Sequence, residues 1–146
     1  PPQLGFLTIA GMAAASSLIV PLTPSMLDVS STAQFLELAG AFMEVFEDAG
    51  ASLQYDHFKF LITRDEPTDV PSQQLTSFMR ALFQDRVISA TALKSTAISD
   101  ATMLKQSIYE VVRAEMTRST YDRAKASMDA VGLEVERMVH NAWGRT

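Results

Sequence analysis

The residue types that most often carry out chemistry are few in this sequence, and their spacing excludes several kinds of site. Among its 146 residues there is no cysteine, which excludes a disulfide scaffold, a thiolate zinc site and a cysteine nucleophile. The two histidines, His57 and His140, lie far apart, and neither belongs to a metal-ligand pattern such as His-Glu-x-x-His. The adjacent acids Asp65 and Glu66 are a pair that general acid–base chemistry could use, but they stand in a polar loop beside Pro67, where we expect solvated carboxylates. We therefore predict neither a catalytic residue nor a metal site within this chain.

The elements that must position any site follow from the apolar patterns. Three short apolar runs rich in β-branched or aromatic residues predict strands at 18–22, 58–63 and 87–88. Helical patterns alternate with them and predict helices at 6–15, 35–46, 71–83, 99–112 and 120–143. Helix caps are assigned to Asp28, Ser30 and Ser31 for the second helix and to Ser99 for the fourth.

This alternation predicts an α/β fold with a parallel sheet flanked by helices. Three strands make up half of a doubly wound sheet, and in such folds ligands bind at the carboxyl ends of the strands. The loops in which a site is expected are therefore those at 23–25, 63–69 and 89–99.

The first 27 residues carry no charge, which raises the question of a membrane segment or a signal peptide. The apolar run is interrupted by Gly11 and Pro21, and it has no flanking basic residues. A buried helix followed by a buried strand is therefore the preferred interpretation.

The segments that carry a family resemblance are spread over the whole chain. The opening residues, PPQLG (1–5), resemble the segment just after the Walker B aspartate in the ParA family of deviant Walker ATPases, in which an acid at a strand end precedes Pro-Pro and glycine. Further segments resemble the RepA-type branch of that family, the partitioning proteins of repABC plasmids in alpha-proteobacteria: KSTAISDA (94–101), KQSIYE (105–110), RSTYDRA (118–124) and WGR (143–145). The order and spacing also match, so residues 1–146 resemble the C-terminal part of a single ParA-type ATPase domain, cut just after its Walker B acid.

The resemblance implies the C-terminal half of a doubly wound P-loop NTPase fold. It also implies a parent protein that binds ATP and Mg²⁺, dimerises, binds non-specific DNA and operator DNA, and hydrolyses ATP weakly when the ParB-type partner RepB stimulates it. Such a protein acts in plasmid segregation, represses its own operon, and is cytoplasmic and nucleoid-associated, with no membrane partner. No Gly-x-x-x-x-Gly-Lys phosphate loop occurs in residues 1–146, so we expect the missing half to bind most of the ATP and Mg²⁺, and this chain alone to be inactive.

The resemblance also assigns nucleotide contacts. The opening residues match the switch region that senses the γ-phosphate, and the ends of the second and third strands match residues that hold the adenine base. Carried over residue by residue, the nucleotide-binding positions are Pro1, Pro2, Gly5, Thr63, Arg64, Leu93 and Lys94. Thr63 offers a hydroxyl group and Arg64 a planar guanidinium, although many relatives have asparagine before the arginine and proline where Leu93 stands.

Basic residues in the second half of the chain are the candidates for DNA contacts. The net charge of −5 argues against coating nucleic acid by bulk charge, but non-specific binding needs only a local positive surface. Related ATPases place bases near this part of the chain against phosphates, which assigns Lys94, Lys105, Arg113, Arg118 and Arg123. The alternative is solvated helix faces, because Glu110, Glu115 and Asp122 stand among these bases.

Two other functions stay open. The apolar positions of the last helix, from Tyr121 to Ala142, step alternately by three and four residues, so this stripe could be the seam of a non-catalytic helical dimerisation module. Gly132 and the alanines within the stripe favour packing on the sheet instead. The other alternative is a deviant Walker ATPase with different cargo, such as a cell-division or metal-cluster carrier.

The half-sheet itself leads to a further prediction. An unpaired strand edge is a template for pairing with another chain. We therefore predict that the isolated chain associates, swaps strands or retains its missing half.

Overall fold

Helices and strands alternate along the residues that this computed structural model describes, which are 5–51, 53–112 and 117–144. The elements are α1 (Phe6–Ala14), β1 (Ser17–Leu22), α2 (Met26–Asp48), β2 (His57–Asp65), α3 (Val70–Phe83), a 3₁₀ turn (Gln84–Arg86), β3 (Ala92–Leu93), α4 (Thr96–Met103) and α5 (Arg118–Ala142). The predicted α/β class is confirmed.

The sheet is parallel, with the strand order β1-β2-β3 in the described residues. β1 pairs with β2 along its whole length, which confirms the first two predicted strands. The third strand was expected at 87–88. Val87 does form a bridge with Phe60, and the Ile88 amide donates to the Phe60 carbonyl oxygen (2.8 Å), but β3 itself lies further along the chain, at Ala92–Leu93.

Apolar side chains of β1, β2 and α3 form the main core. Its buried members are Leu22, Phe60, Ile62, Met79 and Val87. The Phe60 ring stacks on Phe83 with a centroid distance of 4.1 Å, so α3 is packed directly against the central strand. A second cluster joins α4 to α5 and contains Ala97, Ile108, Tyr121 and Ala124. The two clusters fix the elements on either side of the carboxyl ends of β2 and β3.

The fourth helix begins earlier and is shorter than predicted. Its cap is Ser95, whose Oγ accepts a hydrogen bond from the Ala97 amide (3.2 Å), and the predicted cap Ser99 lies inside α4. Soon after the helix ends, Lys105 adopts a φ of 57°, a left-handed conformation that cannot continue an α-helix. The apolar residues expected on the rest of the helix therefore lie in turns, where Ile108 is nonetheless buried.

The second helix also begins earlier than predicted. Ser25 is its cap, because the Ser25 Oγ accepts a hydrogen bond from the Asp28 amide (3.1 Å). The three residues proposed as caps, Asp28, Ser30 and Ser31, lie within the first turns of α2. Pro24, which ends the strand signal, thus leaves only one residue before the helix starts.

One edge of the sheet is open. In the described residues β1 has β2 on one side and no strand on the other. A groove of about 280 Å³ lies beside this edge and is lined by Met12, Phe35 and residues 18–21. α1 is not the buried helix that its apolar sequence led us to expect, since Phe6 is 83% and Leu7 84% exposed. Despite these apolar side chains, no helix in the described part of the chain combines the length and apolar character needed to cross a bilayer.

Candidate functional site

A bulge at the end of β2 sets the position of Arg64. β2 and β3 pair at Thr63 opposite Ala92 and, after one extra residue in β2, at Asp65 opposite Leu93. Arg64 is that extra residue, and its φ of 53° lies in the left-handed region, which arginine seldom adopts. Its side chain is exposed. The strand end therefore holds a guanidinium group free in solvent on a strained backbone, as binding sites often do.

The Thr63 hydroxyl forms a hydrogen bond within the sheet. Its Oγ1 donates to the Leu22 carbonyl oxygen (3.1 Å), which ties the ends of β1 and β2 together. Only the lone pairs of this oxygen are left for a ligand, so Thr63 can accept a hydrogen bond from a bound base while the bond to Leu22 persists.

Asp65 is not the solvated carboxylate that its position in a polar loop led us to expect. The residue is only 8% exposed. Its Oδ2 accepts from the Thr91 hydroxyl (2.9 Å) and its Oδ1 from the Thr76 hydroxyl (3.3 Å), while its carbonyl oxygen accepts from the Lys94 amide (3.0 Å). These partners come from α3 and from both ends of β3, so Asp65 fixes the geometry of the strand end.

Glu66 and Lys94 form an ion pair across the two strand ends. The Lys94 Nζ lies 2.8 Å from the Glu66 Oε1, and both side chains are nearly half exposed (49% and 43%). The Glu66 backbone amide reaches the Ser72 hydroxyl (3.4 Å), a long bond that links it to α3. Glu66 is thus solvated as expected, but it has a fixed cationic partner.

A pocket of about 210 Å³ is lined by residues predicted to bind nucleotide and by residues predicted to bind DNA. It is lined by Leu93, Lys94, Ser95, Thr96, Thr120, Arg123 and Ala124. Leu93 and Lys94 are nucleotide candidates, while Lys94 and Arg123 are DNA candidates. The pocket lies between the start of α4 and the start of α5, and it carries two cationic side chains from different elements.

Two residues of α5 that sequence reasoning missed hold the outer side of β3. The Ser127 Oγ accepts from the Leu93 amide and donates to the Thr91 carbonyl oxygen, both at 2.8 Å, so it replaces the hydrogen bonds of a neighbouring strand. Glu134 accepts from the amides of Ser89 (2.8 Å) and Ala90 (3.0 Å). Ser127 and Glu134 are seven residues apart, close to the apolar stripe of the same helix, and that spacing was the available signal.

The environment of Glu134 favours its ionised form. Partial burial acts to raise the pKa of the carboxyl group, but the hydrogen bonds from the Ser89 and Ala90 amides and the charge of Arg80 outweigh it and lower the pKa. Arg80 also donates to the carbonyl oxygens of Ile88 (3.3 Å) and Ser89 (2.9 Å). Together these side chains divert the chain between Val87 and β3, which explains why the predicted third strand is interrupted.

The other candidates are not gathered at these strand ends. Gly5 is the N-cap of α1 and is exposed. Lys105 and Arg118 are exposed on the turn after α4 and at the first position of α5, outside the pocket that contains Lys94 and Arg123. Pro1, Pro2 and Arg113 lie outside the described residues.

The apolar stripe of α5 is used within the molecule. Tyr121, Ala124 and Val131 are buried, and Tyr121 and Ala124 belong to the cluster shared with α4. These three positions therefore pack within the molecule, with α4 rather than the sheet as the partner of Tyr121 and Ala124.

Comparisons with known proteins add to these observations. No protein-family model matches the sequence. Over 145 residues the chain is 48% identical to a protein named "Putative replication protein A" from Sinorhizobium fredii (strain NBRC 101917 / NGR234), and 44% identical to a protein of the same name from Rhizobium rhizogenes. Each match covers 99% of this chain and 36% of the relative, so the chain spans about a third of the length of these curated relatives.

A solved structure has a similar fold. A protein named "Partition Protein" matches with a TM-score of 0.52 and 17% sequence identity, over 85% of this chain and 31% of that chain. At this identity the likeness concerns the fold alone. The α/β arrangement with a small parallel sheet is therefore shared with a partition protein, and the sequence is similar along nearly its whole length to proteins that carry the replication-protein name.

Proposed function

We propose that this chain is the C-terminal part of a RepA-type plasmid-partitioning ATPase of the ParA family. The observation that carries the proposal is the 48% identity over 99% of the chain to the replication protein of Sinorhizobium fredii. The parallel sheet shared with a partition protein agrees with it. In this proposal the intact protein binds ATP and Mg²⁺, dimerises, binds DNA, represses its own operon, and responds to a ParB-type partner, RepB, in the cytoplasm.

The residues at the strand ends fit the base side of a nucleotide pocket. An adenine ring needs a flat or apolar surface and a few polar groups at its edge. Arg64 supplies a planar guanidinium group in solvent, Leu93 supplies an apolar side chain, and Thr63 supplies a hydroxyl oxygen. Asp65 keeps these groups in place through its three hydrogen-bonding partners.

The chemistry of phosphate transfer belongs, in this proposal, to the rest of the parent protein. When bound there, Mg²⁺ would neutralise the phosphate charge that develops during hydrolysis. The residues of this chain would bind and orient the base, and the basic side chains near α4 and α5 would contact DNA. No Gly-x-x-x-x-Gly-Lys loop is present to cradle the phosphates, so the chain by itself is expected to be inactive.

Nucleotide binding by the full-length protein tests the proposal. We expect a fluorescent ATP analogue to bind in the presence of Mg²⁺, and Arg64→Ala to weaken its binding by about tenfold through loss of the planar cationic contact with the base. The matched control is Arg86→Ala, because Arg86 is also an exposed arginine but lies in the 3₁₀ turn, away from the strand ends.

The outcomes separate the parts of the proposal. Equal nucleotide affinities for wild type and Arg64→Ala would contradict the proposed contact between the adenine base and the end of β2. Absence of nucleotide binding by the full-length protein would reject the ATPase.

A further inference from the structure

The pocket between Lys94 and Arg123 has the charge that a phosphate group requires. Lys94 is on the connection from β3 to α4 and Arg123 is on α5, so the two cations approach the pocket from different elements. The Arg123 side chain has neither a hydrogen bond nor an ion pair within the described residues. Thr96 and Thr120 also line the pocket. Cationic side chains that line one pocket can form charge-assisted hydrogen bonds with the oxygens of a phosphate group.

Within the described residues, one of these two cations, Lys94, already forms an ion pair with the carboxylate of Glu66. The Glu66 Oε1 lies 2.8 Å from the Lys94 Nζ, which is the distance at which a phosphate oxygen would bind the same ammonium group. Lys94 therefore cannot bind a phosphate with full strength until it leaves Glu66.

The backbone holds this ion pair in place. The Lys94 amide donates to the Asp65 carbonyl oxygen (3.0 Å), and Asp65 directly precedes Glu66 in the chain. The Asp65 carboxylate is itself fixed by the Thr91 hydroxyl (2.9 Å). Because the two chain segments are joined to each other, little backbone freedom is lost when the Glu66–Lys94 pair forms.

We propose that Glu66 is an internal competitor of DNA phosphate for Lys94, so that the Lys94–Arg123 pocket takes a backbone phosphate only when the ion pair opens. This inference rests on the DNA-binding part of the proposed function. An ion pair whose side chains are nearly half exposed is weak, so removal of the competitor is expected to tighten DNA binding by about two- to fivefold and not more.

The test is the affinity of the full-length protein for a short duplex DNA of arbitrary sequence, measured by fluorescence anisotropy at low salt with saturating ATP and Mg²⁺. Glu66→Gln removes the competing charge. Glu37→Gln is the matched control, because it removes the same charge from an exposed position on α2. We expect Glu66→Gln to bind about two- to fivefold more tightly than Glu37→Gln.

The role of Lys94 is tested in the same assay. Lys94→Met retains most of the apolar stem and removes the charge, so we expect weaker binding and a log–log salt dependence that is lower by about 1. In the Lys94→Met background, Glu66→Gln is expected to have no effect beyond that of Glu37→Gln.

Each result supports or overturns a separate statement. Equal affinities for Glu66→Gln and Glu37→Gln, in a protein that binds DNA, overturn the competition. An unchanged salt dependence for Lys94→Met, again with DNA bound, overturns the assignment of the pocket to phosphate. No DNA binding by any variant rejects the DNA-binding part of the proposed function, and the inference with it.

Discussion

At the residue scale, Asp65 joins three parts of the molecule through a single carboxyl group. It is 8% exposed and accepts hydrogen bonds from Thr76 on α3 and from Thr91 just before β3. A buried carboxylate is tolerated when its oxygens are hydrogen-bonded, and the two hydroxyl donors meet that need. The residue is therefore placed to keep Arg64 and Lys94, its neighbours at the strand ends, in a fixed relation.

Asp65→Ala tests this role. The substitution leaves the hydroxyls of Thr76 and Thr91 without their partner, so we expect the free energy of unfolding to fall by about 2–3 kcal/mol. Asp65→Asn keeps one acceptor oxygen and is expected to lose less. Denaturant unfolding provides the measurement. Asp56→Ala is the control, because Asp56 is exposed and lies just before β2; a loss of stability equal to that of Asp65→Ala would contradict the structural role.

Sequence reasoning placed candidate residues at this strand end but did not predict how their side chains are arranged. Thr63, Arg64 and Lys94 were identified from resemblance, and the structure places all three around the ends of β2 and β3. The burial of Asp65 was missed because its partners are 11 and 26 residues away in the chain. A local window shows only the nearby polar residues, such as Glu66, Thr68 and Asp69.

At the element scale, α5 acts as a brace along the outer side of β3. Ser127 bonds to the backbone of Leu93 and Thr91, and Glu134 bonds to the amides of Ser89 and Ala90. A strand of two residues has few hydrogen bonds of its own, so these side-chain contacts supply much of what holds it.

The contribution of Glu134 to the stability of the folded protein should depend on pH, and Glu134→Gln tests this. The pKa of Glu134 is lowered in the folded protein, so its stabilisation is present above the pKa of the unfolded state and is lost as the pH falls through the folded-state pKa. We expect the variant to be about 1–2 kcal/mol less stable at neutral pH, and the difference to shrink in acid.

Denaturant unfolding of the variant and of wild type, measured from neutral pH into acid, checks the prediction. Glu136→Gln is the control, because Glu136 is exposed on the same helix. A constant difference between Glu134→Gln and wild type at all pH values would mean that the carboxylate charge plays no part.

The elements with strong local patterns were predicted and those that depend on distant partners were not. β1, β2 and α5 follow from apolar runs and a 3-4 stripe, and the structure contains all three. The third strand was placed too early because Arg80 and Glu134, which divert the backbone there, act from α3 and α5. The fourth helix was drawn too long because nothing local to its apolar residues signals the left-handed turn at Lys105.

At the scale of the whole molecule, the open edge of β1 is the feature that most affects behaviour in solution. The groove beside it is apolar on the side of Met12 and Phe35, and Ile19 on the strand is 37% exposed. In the proposed parent protein, other strands would pair with this edge. The isolated chain of 146 residues has the same edge without that cover.

Light scattering of the isolated chain is the measurement for this scale. We expect concentration-dependent association, and we expect Ile19→Lys to reduce it because a charge on an edge strand opposes pairing. Leu133→Lys adds the same charge at a residue of α5 that is 54% exposed, and it should leave association unchanged. A compact monomer at all concentrations for the unsubstituted chain would contradict the prediction.

The brace on β3 has a consequence for the size of any assembly. A sheet with two free edges can add copies at both and grow into a fibre, whereas a sheet with one free edge has a valency of one. In the described residues, Ser127 and Glu134 cover the β3 side, so only β1 can accept a neighbouring strand. If two copies meet edge to edge through β1, no further edge is left for a third, so we expect growth to stop at the pair.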